Sequence, residues 1–187
     1  MSLPLSDGSD AELAVLAVGG RQDAYRELLA RHRESVFRLV RATTGDPHEA
    51  LDITQDTFIA AFAALGHYDR ERPFIVWLKR IALNKCRDWV RRRRVRSFFT
   101  RAVPLDDSFN ISADAVPADV QAADKAELAR VTAAISRLPA RLREALVLRT
   151  VDGLSQTETA QMLSVSEKTV ETRLYRARTK LKAMLGE

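Results

Sequence analysis

The sequence predicts an all-α protein: a small helical bundle, a flexible linker, and a second small unit containing a helix-turn-helix. Three observations carry this. Apolar residues recur at helical spacing through most of the 187-residue chain, with no convincing strand. The periodicity lapses over residues 96–123, where Phe98, Phe99, Val103 and Phe109 are scattered among Pro104, Pro117 and the acids Asp106, Asp107, Asp114 and Asp119. Beyond the lapse, residues 153–185 carry the start and stop signals of two short helices joined by a tight turn.

That last stretch is the most informative. Ser155 precedes an apolar-periodic run and Glu158 follows three residues later, which is a capping box. The helix it starts gives out near Leu163. Ser164-Val165-Ser166 reads as a tight turn, with Ser166 placed to cap the next helix. Along that second helix Val170, Leu174, Ala177, Leu181 and Leu185 form a buried stripe. Its opposite face carries Lys168, Thr169, Thr172, Arg173, Tyr175, Arg176 and Arg178. A solvated surface usually mixes both signs of charge, whereas carboxylates are nearly absent from this face after Glu171. Thr169 and Thr172 are also short enough to allow close approach to base edges. The pattern points to a helix-turn-helix whose second helix enters a DNA major groove.

The first unit, residues 10–95, follows a tail over 1–9 expected to be disordered. A short helix carries Leu13, Leu16 and Ala17 and stops at Gly19-Gly20. A longer one over 23–41 has Tyr25, Leu28, Leu29, His32, Val36, Leu39 and Val40 on one face. After the break at Gly45-Asp46-Pro47, a third helix over 48–65 is expected to bury Leu51, Phe58, Ile59, Phe62 and Leu65 and to expose Asp52, Gln55 and Asp56. A loop over 66–73 leads to a fourth, which holds Phe74, Trp77, Leu78, Ile81, Leu83 and Trp89 and dissolves into Arg91–Arg94. The linker could span at most ~90 Å if stretched. The second unit, 124–187, opens with a helix over 124–137 through Leu128, Val131 and Ile135. Pro139 starts another, with Leu142, Leu146 and Leu148, ending at Asp152-Gly153. Each unit is near the lower size limit for independent folding.

A net charge of +5 and a pI near 9.7 favour polyanionic partners. The single cysteine, Cys86, excludes an internal disulfide framework and fits a reducing compartment. The apolar run 14–18 is too short for a secretory signal, and no segment approaches the ~20 apolar residues of a membrane span. A cytoplasmic protein without membrane insertion is expected. His32, His48 and His67 are far apart, and no nucleophile motif or Gly-rich phosphate loop occurs, so no catalytic, metal or cofactor site is expected.

Lys79, Arg80, Lys85, Arg87 and Arg91–Arg94 share the fourth helix with Trp77, Trp89 and Asn84. Cations that track phosphates, beside aromatics and an amide able to address a base, suit a partly melted strand as well as a duplex. Trp77 is itself expected to be a core residue, and a helix-interior amide bonded to backbone fits Asn84 equally well.

Three segments, ALDITQDTFIAAFAAL, FIVWLKRIALNKCRDWVRRRR and LPARLREALVLRTVDGLSQTETAQMLSVSEKTVETRLYRARTKLKAML, in this order and spacing resemble the bacterial extracytoplasmic-function sigma factors. The resemblance implies a promoter-specificity subunit that binds core RNA polymerase through the clamp helices of its largest subunit and through the flap. By this likeness the helix with Asp52, Gln55 and Asp56 matches the clamp-docking helix of sigma domain 2. Trp77, Lys79, Arg80, Asn84, Arg87 and Arg91 fall in the part that reads and melts the minus-ten element, with Asn84 at an amide position implicated in holding an extruded base. Extrusion costs a few kcal/mol that protein contacts must offset. The second unit resembles sigma domain 4, and its Lys168, Thr169, Thr172, Arg173, Tyr175, Arg176 and Arg178 correspond to the face that meets the minus-thirty-five duplex. The linker corresponds to the segment threaded through polymerase. The family also implies an anti-sigma partner. Glu171 departs from the pattern, since the family often has a basic residue there; a carboxylate can accept from cytosine or repel phosphate. The competing reading is a dimeric helix-turn-helix regulator that binds an operator without polymerase.

Overall fold

The computed structural model describes residues 5–100 and 119–186. Among these residues there are eight α-helices and no strand: α1 (Asp10–Val18), α2 (Gln22–Thr44), α3 (Pro47–Ala63), α4 (Phe74–Thr100), α5 (Asp119–Arg137), α6 (Ala140–Thr150), α7 (Gln156–Leu163) and α8 (Glu167–Leu185). Most of the expected linker, including Pro104, Asp106, Asp107, Phe109, Asp114 and Pro117, lies outside the described residues. Its two ends are helical: α4 continues to Thr100 and α5 begins at Asp119.

The N-terminal bundle packs α1, α3 and α4 around α2. Leu13, Leu28, Val36, Leu39, Val40, Phe58, Phe74, Leu78 and Leu83 fill its core. Full burial of such side chains is worth about 1.5–3 kcal/mol each. Phe58, Tyr25 and Phe62 form an aromatic run along the α2–α3 seam, with the Tyr25 and Phe62 centroids 4.8 Å apart. Thr43, Thr44, Thr54 and Thr57 are also buried. Each hydroxyl donates to the carbonyl four residues earlier, on Leu39, Val40, Ala50 and Ile53, so burial leaves no donor orphaned.

Three expectations are corrected here. Leu51 and Ile59 are not core residues: they are 44% and 68% exposed, and α3 instead buries Ala50, Ile53, Thr54, Thr57, Phe58 and Ala61. Those positions follow a helical repeat, and the small and hydroxylated residues let α2 approach closely. Leu29 likewise lies toward solvent on α2. The tail expected to be disordered is fastened from Leu5 onward: the Arg31 guanidinium donates to the carbonyls of Leu5, Ser6 and Gly8 and pairs with Asp10. Ser9 then caps α1 in a capping box with Glu12. His32, expected on an apolar face, lies against Phe74 and bonds Asp10 at 2.8 Å.

The C-terminal unit has its own small core of Leu138, Ala145, Leu146, Ala160, Val170, Leu174 and Ala177. The two units are packed together. α6 is buried from Arg143 to Leu148 because it faces both ways: Ala145 and Leu146 look into this core, while Val147 and Leu148, with Met162 of α7, join the core of the N-terminal bundle. α5 ends against the end of α2. Gly45 caps α2 at φ 76°, in the left-handed region, and a Cβ added there would lie 2.6 Å from the Cβ of Ser136. The site needs glycine twice over, for conformation and for space.

Candidate nucleic-acid interface

α7 and α8 form a helix-turn-helix whose geometry follows from its polar residues. The Ser155 hydroxyl accepts from the Glu158 amide at 3.1 Å, and the Glu158 carboxylate accepts from the Ser155 amide at 2.7 Å. Hydrogen bonding to the carboxylate by the Ser155 side chain, and then by its backbone amide, holds the Glu158 carboxyl below the ordinary range. Ser164 closes α7 with φ 54° and ψ 50°, a left-handed residue that turns the chain sharply. Two residues on, Ser166 caps α8 by accepting from the Thr169 amide at 3.2 Å. Thr157 donates to the Glu167 carboxylate at 2.8 Å, which pins the start of α7 to the start of α8.

The buried stripe of α8 is Val170, Leu174 and Ala177, with Leu181 partly buried. The opposite face presents Lys168, Thr172, Tyr175, Arg176 and Arg178 to solvent, with Thr169 and Arg173 half-buried beside them. Arg141 of α6 joins this face: with Leu142 it lines an open groove alongside Lys168, Thr169, Thr172, Arg173 and Arg176. Glu171 is not an isolated anion, because Lys168 pairs with it at 2.9 Å. The Thr172 hydroxyl donates to the Lys168 carbonyl, so its proton is committed within the helix.

The α4 positions are arranged differently. Trp77 is half-buried against Tyr68 and Phe74, with centroids 5.2 and 5.5 Å away, so it belongs to the bundle wall. Asn84 is exposed, and its side-chain oxygen accepts from Arg87 at 3.0 Å rather than pairing with backbone. Arg87 also grips Glu144 of α6 with two bonds of 2.6 and 2.8 Å. Arg80 donates to the Gln161 carbonyl at 3.0 Å. Lys79, expected on a DNA-facing surface, is buried and pairs with Asp152 at 2.9 Å. Arg91 is exposed beside Asp88, and Arg93 lies over the Trp89 ring. Burial pushes the Asp152 carboxyl up against the opposing pull of Lys79, and its Oδ2 has no hydrogen-bond partner among the described residues. Glu144 and Asp152 had no sequence signal, because an isolated carboxylate in a helix or a turn reads as exposed.

On α3, Asp52, Gln55 and Asp56 are exposed and flanked by Leu51 and Ile59. The ridge is part acidic and part apolar, and no ion pair to Asp52 or Asp56 occurs among the described residues. Among the described residues, no cluster of three His, Cys, Asp or Glu side chains could hold a metal ion. No described helix is long and apolar enough to cross a membrane.

A helix-turn-helix with a cationic outer face, behind a bundle with a second cationic helix, defines a DNA-binding protein of two helical units. Comparison with known families gives the particular kind. Residues 28–96 match sigma-70 region 2 and residues 128–181 match sigma-70 region 4. The chain is 41% identical over 182 residues to the RNA polymerase sigma factor CnrH of Cupriavidus metallidurans, covering 96% of this chain and 95% of that protein. It is 35% identical over 178 residues to the extracytoplasmic-function (ECF) sigma factor SigM of Mycobacterium tuberculosis, covering 95% and 85%. The solved structure of CnrH in complex with the cytosolic domain of CnrY superposes with a TM-score of 0.69 at 36% identity, covering 96% of this chain and 98% of that one. The chain belongs to the ECF RNA polymerase sigma factors.

Proposed function

We propose that this chain directs core RNA polymerase to promoters by dividing three tasks between its two units. Residues 10–95 act as domain 2 and residues 124–187 as domain 4, joined by the linker. The α3 ridge of Asp52, Gln55 and Asp56, with Leu51 and Ile59, docks on the polymerase clamp. A half-acidic, half-apolar ridge suits a basic helical partner that must be both steered and held. The α4 residues Arg80, Asn84, Arg87 and Arg91 receive the minus-ten strand, with Lys79, buried against Asp152, and Trp77, in the bundle wall, behind them. The α8 residues Lys168, Thr169, Thr172, Arg173, Tyr175, Arg176 and Arg178 read the minus-thirty-five duplex. The protein acts by binding and catalyses nothing itself. CnrH was solved with the cytosolic domain of CnrY, and a comparable anti-sigma partner is proposed for this chain.

The observation that carries the reading is the separation of the two outward surfaces, an acidic ridge on α3 and a cationic face on α8, on units matched by region 2 and region 4 respectively. Replacing Asp52 and Asp56 together with lysine tests the docking role. The double variant should keep its helical circular dichroism and lose affinity for core polymerase; unchanged binding would remove α3 from the docking surface.

A further inference from the structure

Glu171 puts a carboxylate in the middle of the cationic face of α8, and the division of tasks above gives it no role. Lys168, Glu171, Thr172 and Tyr175 are exposed on successive turns of that face. Lys168 pairs with Glu171 at 2.9 Å. Among the described residues Lys168 is the one cation of this face with a carboxylate partner; Arg173, Arg176 and Arg178 have none. The neighbouring Thr172 hydroxyl has its proton committed to the Lys168 carbonyl, so it offers base acceptors no competing donor.

We propose that Glu171 sets base selectivity through Lys168: the carboxylate holds the ammonium over the base edges, where Lys168 reads a guanine, and keeps it off the phosphates. Glu171 is thus a positioning residue and Lys168 the reader. The proposal rests on the reading of α8 as the duplex-binding helix. An ammonium has three N–H donors. With one committed to Glu171, two remain for guanine O6 and N7 in the major groove. A lysine left alone is a flexible point charge that follows phosphates, which carry no sequence information. A carboxylate beside it makes a phosphate the wrong place to go.

The simpler account is that the pair stabilises α8. Its placement argues against that. Lys168 is the second residue of α8, where a cation opposes the helix dipole. Lysine ahead of glutamate is also the less favourable order for a helical ion pair. Both side chains are exposed, and α8 is already held by its Ser166 cap and its buried Val170, Leu174 and Ala177. What the location does favour is DNA, because the N-terminal residues of a recognition helix are the ones that meet base edges. An exposed pair biases a side chain by up to about fivefold, and the pair tightens when the groove excludes water around it.

The test uses the full chain and a pool of random-sequence duplexes two helical turns long. Bound duplexes are enriched at low salt and sequenced, and the enriched motif is then assayed by competition with its single-base variants. Wild type, K168A, E171Q and K168A/E171Q are compared, with circular dichroism to show that α8 stays helical. Wild type should enrich a motif with one guanine that K168A no longer requires. E171Q should bind every duplex more tightly, yet its preference for that guanine should fall by about three- to fivefold. Its salt dependence should steepen by about 0.9 in log–log slope, as the freed lysine takes up a phosphate. In the K168A background E171Q should leave the preference at that position unchanged, which separates positioning from plain repulsion of DNA. Undiminished guanine preference in E171Q would overturn the proposal. So would the same loss with and without Lys168, or weaker binding of E171Q to the motif, which would make Glu171 a base contact itself. Enrichment of no motif by the wild type would instead remove α8 as a duplex reader, and the proposal with it.

Discussion

Replacing Gly45 with alanine should destabilise the folded chain by about 2–5 kcal/mol, from two separable sources. Gly45 holds φ at 76°, where an L side chain costs about 1–2 kcal/mol. The added Cβ would also stand 2.6 Å from the Cβ and 2.8 Å from the Oγ of Ser136. Relieving that overlap must move α5 away from the end of α2, and overpacking of this kind costs about 1–3 kcal/mol. A double-mutant cycle with Ser136→Gly separates the two. Ser136→Gly alone should cost about 0.5 kcal/mol, for glycine in place of serine within a helix. In the double variant the steric part vanishes and the conformational part stays, so the cycle should show a favourable coupling of about 1–3 kcal/mol. Urea denaturation followed by circular dichroism supplies the four stabilities. Additive losses, with coupling near zero, would refute the close approach of α5 to α2 and with it the packing of the two units.

Other substitutions probe the DNA face and the core. Arg176→Ala should weaken binding to the cognate upstream duplex by about 1–3 kcal/mol and relax selectivity at one position, in a competition assay across single-base promoter variants; equal loss on every sequence would make Arg176 a phosphate contact. Glu171→Gln frees Lys168 and removes an anion from the α8 face, so duplex affinity should rise about two- to threefold at low salt, with the gain fading as salt screens it. Loss of affinity would instead make Glu171 a base contact. Burial pushes the Cys86 thiol from its ordinary 9.0 up to about 12. A raised folded value stabilises the chain fully below the ordinary value and is lost as pH rises through the folded one, so stability should decline from about pH 9 upward, and a Cys86→Ala variant should lose this part of the decline. At pH 8 a disulfide reagent should label the native thiol slowly and the unfolded one at once.

Much of this architecture is legible in the sequence because it depends on local chemistry. The capping box at Ser155 and Glu158, the turn at Ser164–Ser166 and the Val170-Leu174-Ala177 stripe need only near neighbours, and all three are found as the sequence predicts. Legibility fails where a side chain's role depends on a distant segment. Leu51 and Ile59 read as core by hydropathy, yet α3 turns its small and threonine-bearing face to α2 and leaves them outside. Lys79 reads as a DNA contact until Asp152, from a loop beyond α6, covers it. Glu144 carries no motif, and its role is visible only because α6 is buried between both units. Arg141 was missed for the same reason: only the fold brings it to the rim of the α8 groove.

The central claim is that the α3, α4 and α8 surfaces together direct polymerase to promoters. Run-off transcription with core RNA polymerase on the host's genomic promoter fragments, with and without the protein, tests it most directly. The account predicts initiation at discrete sites that share two spaced motifs, only when the protein is present. No initiation, together with salt-sensitive duplex binding by the protein alone, would contradict it and favour an operator-binding regulator.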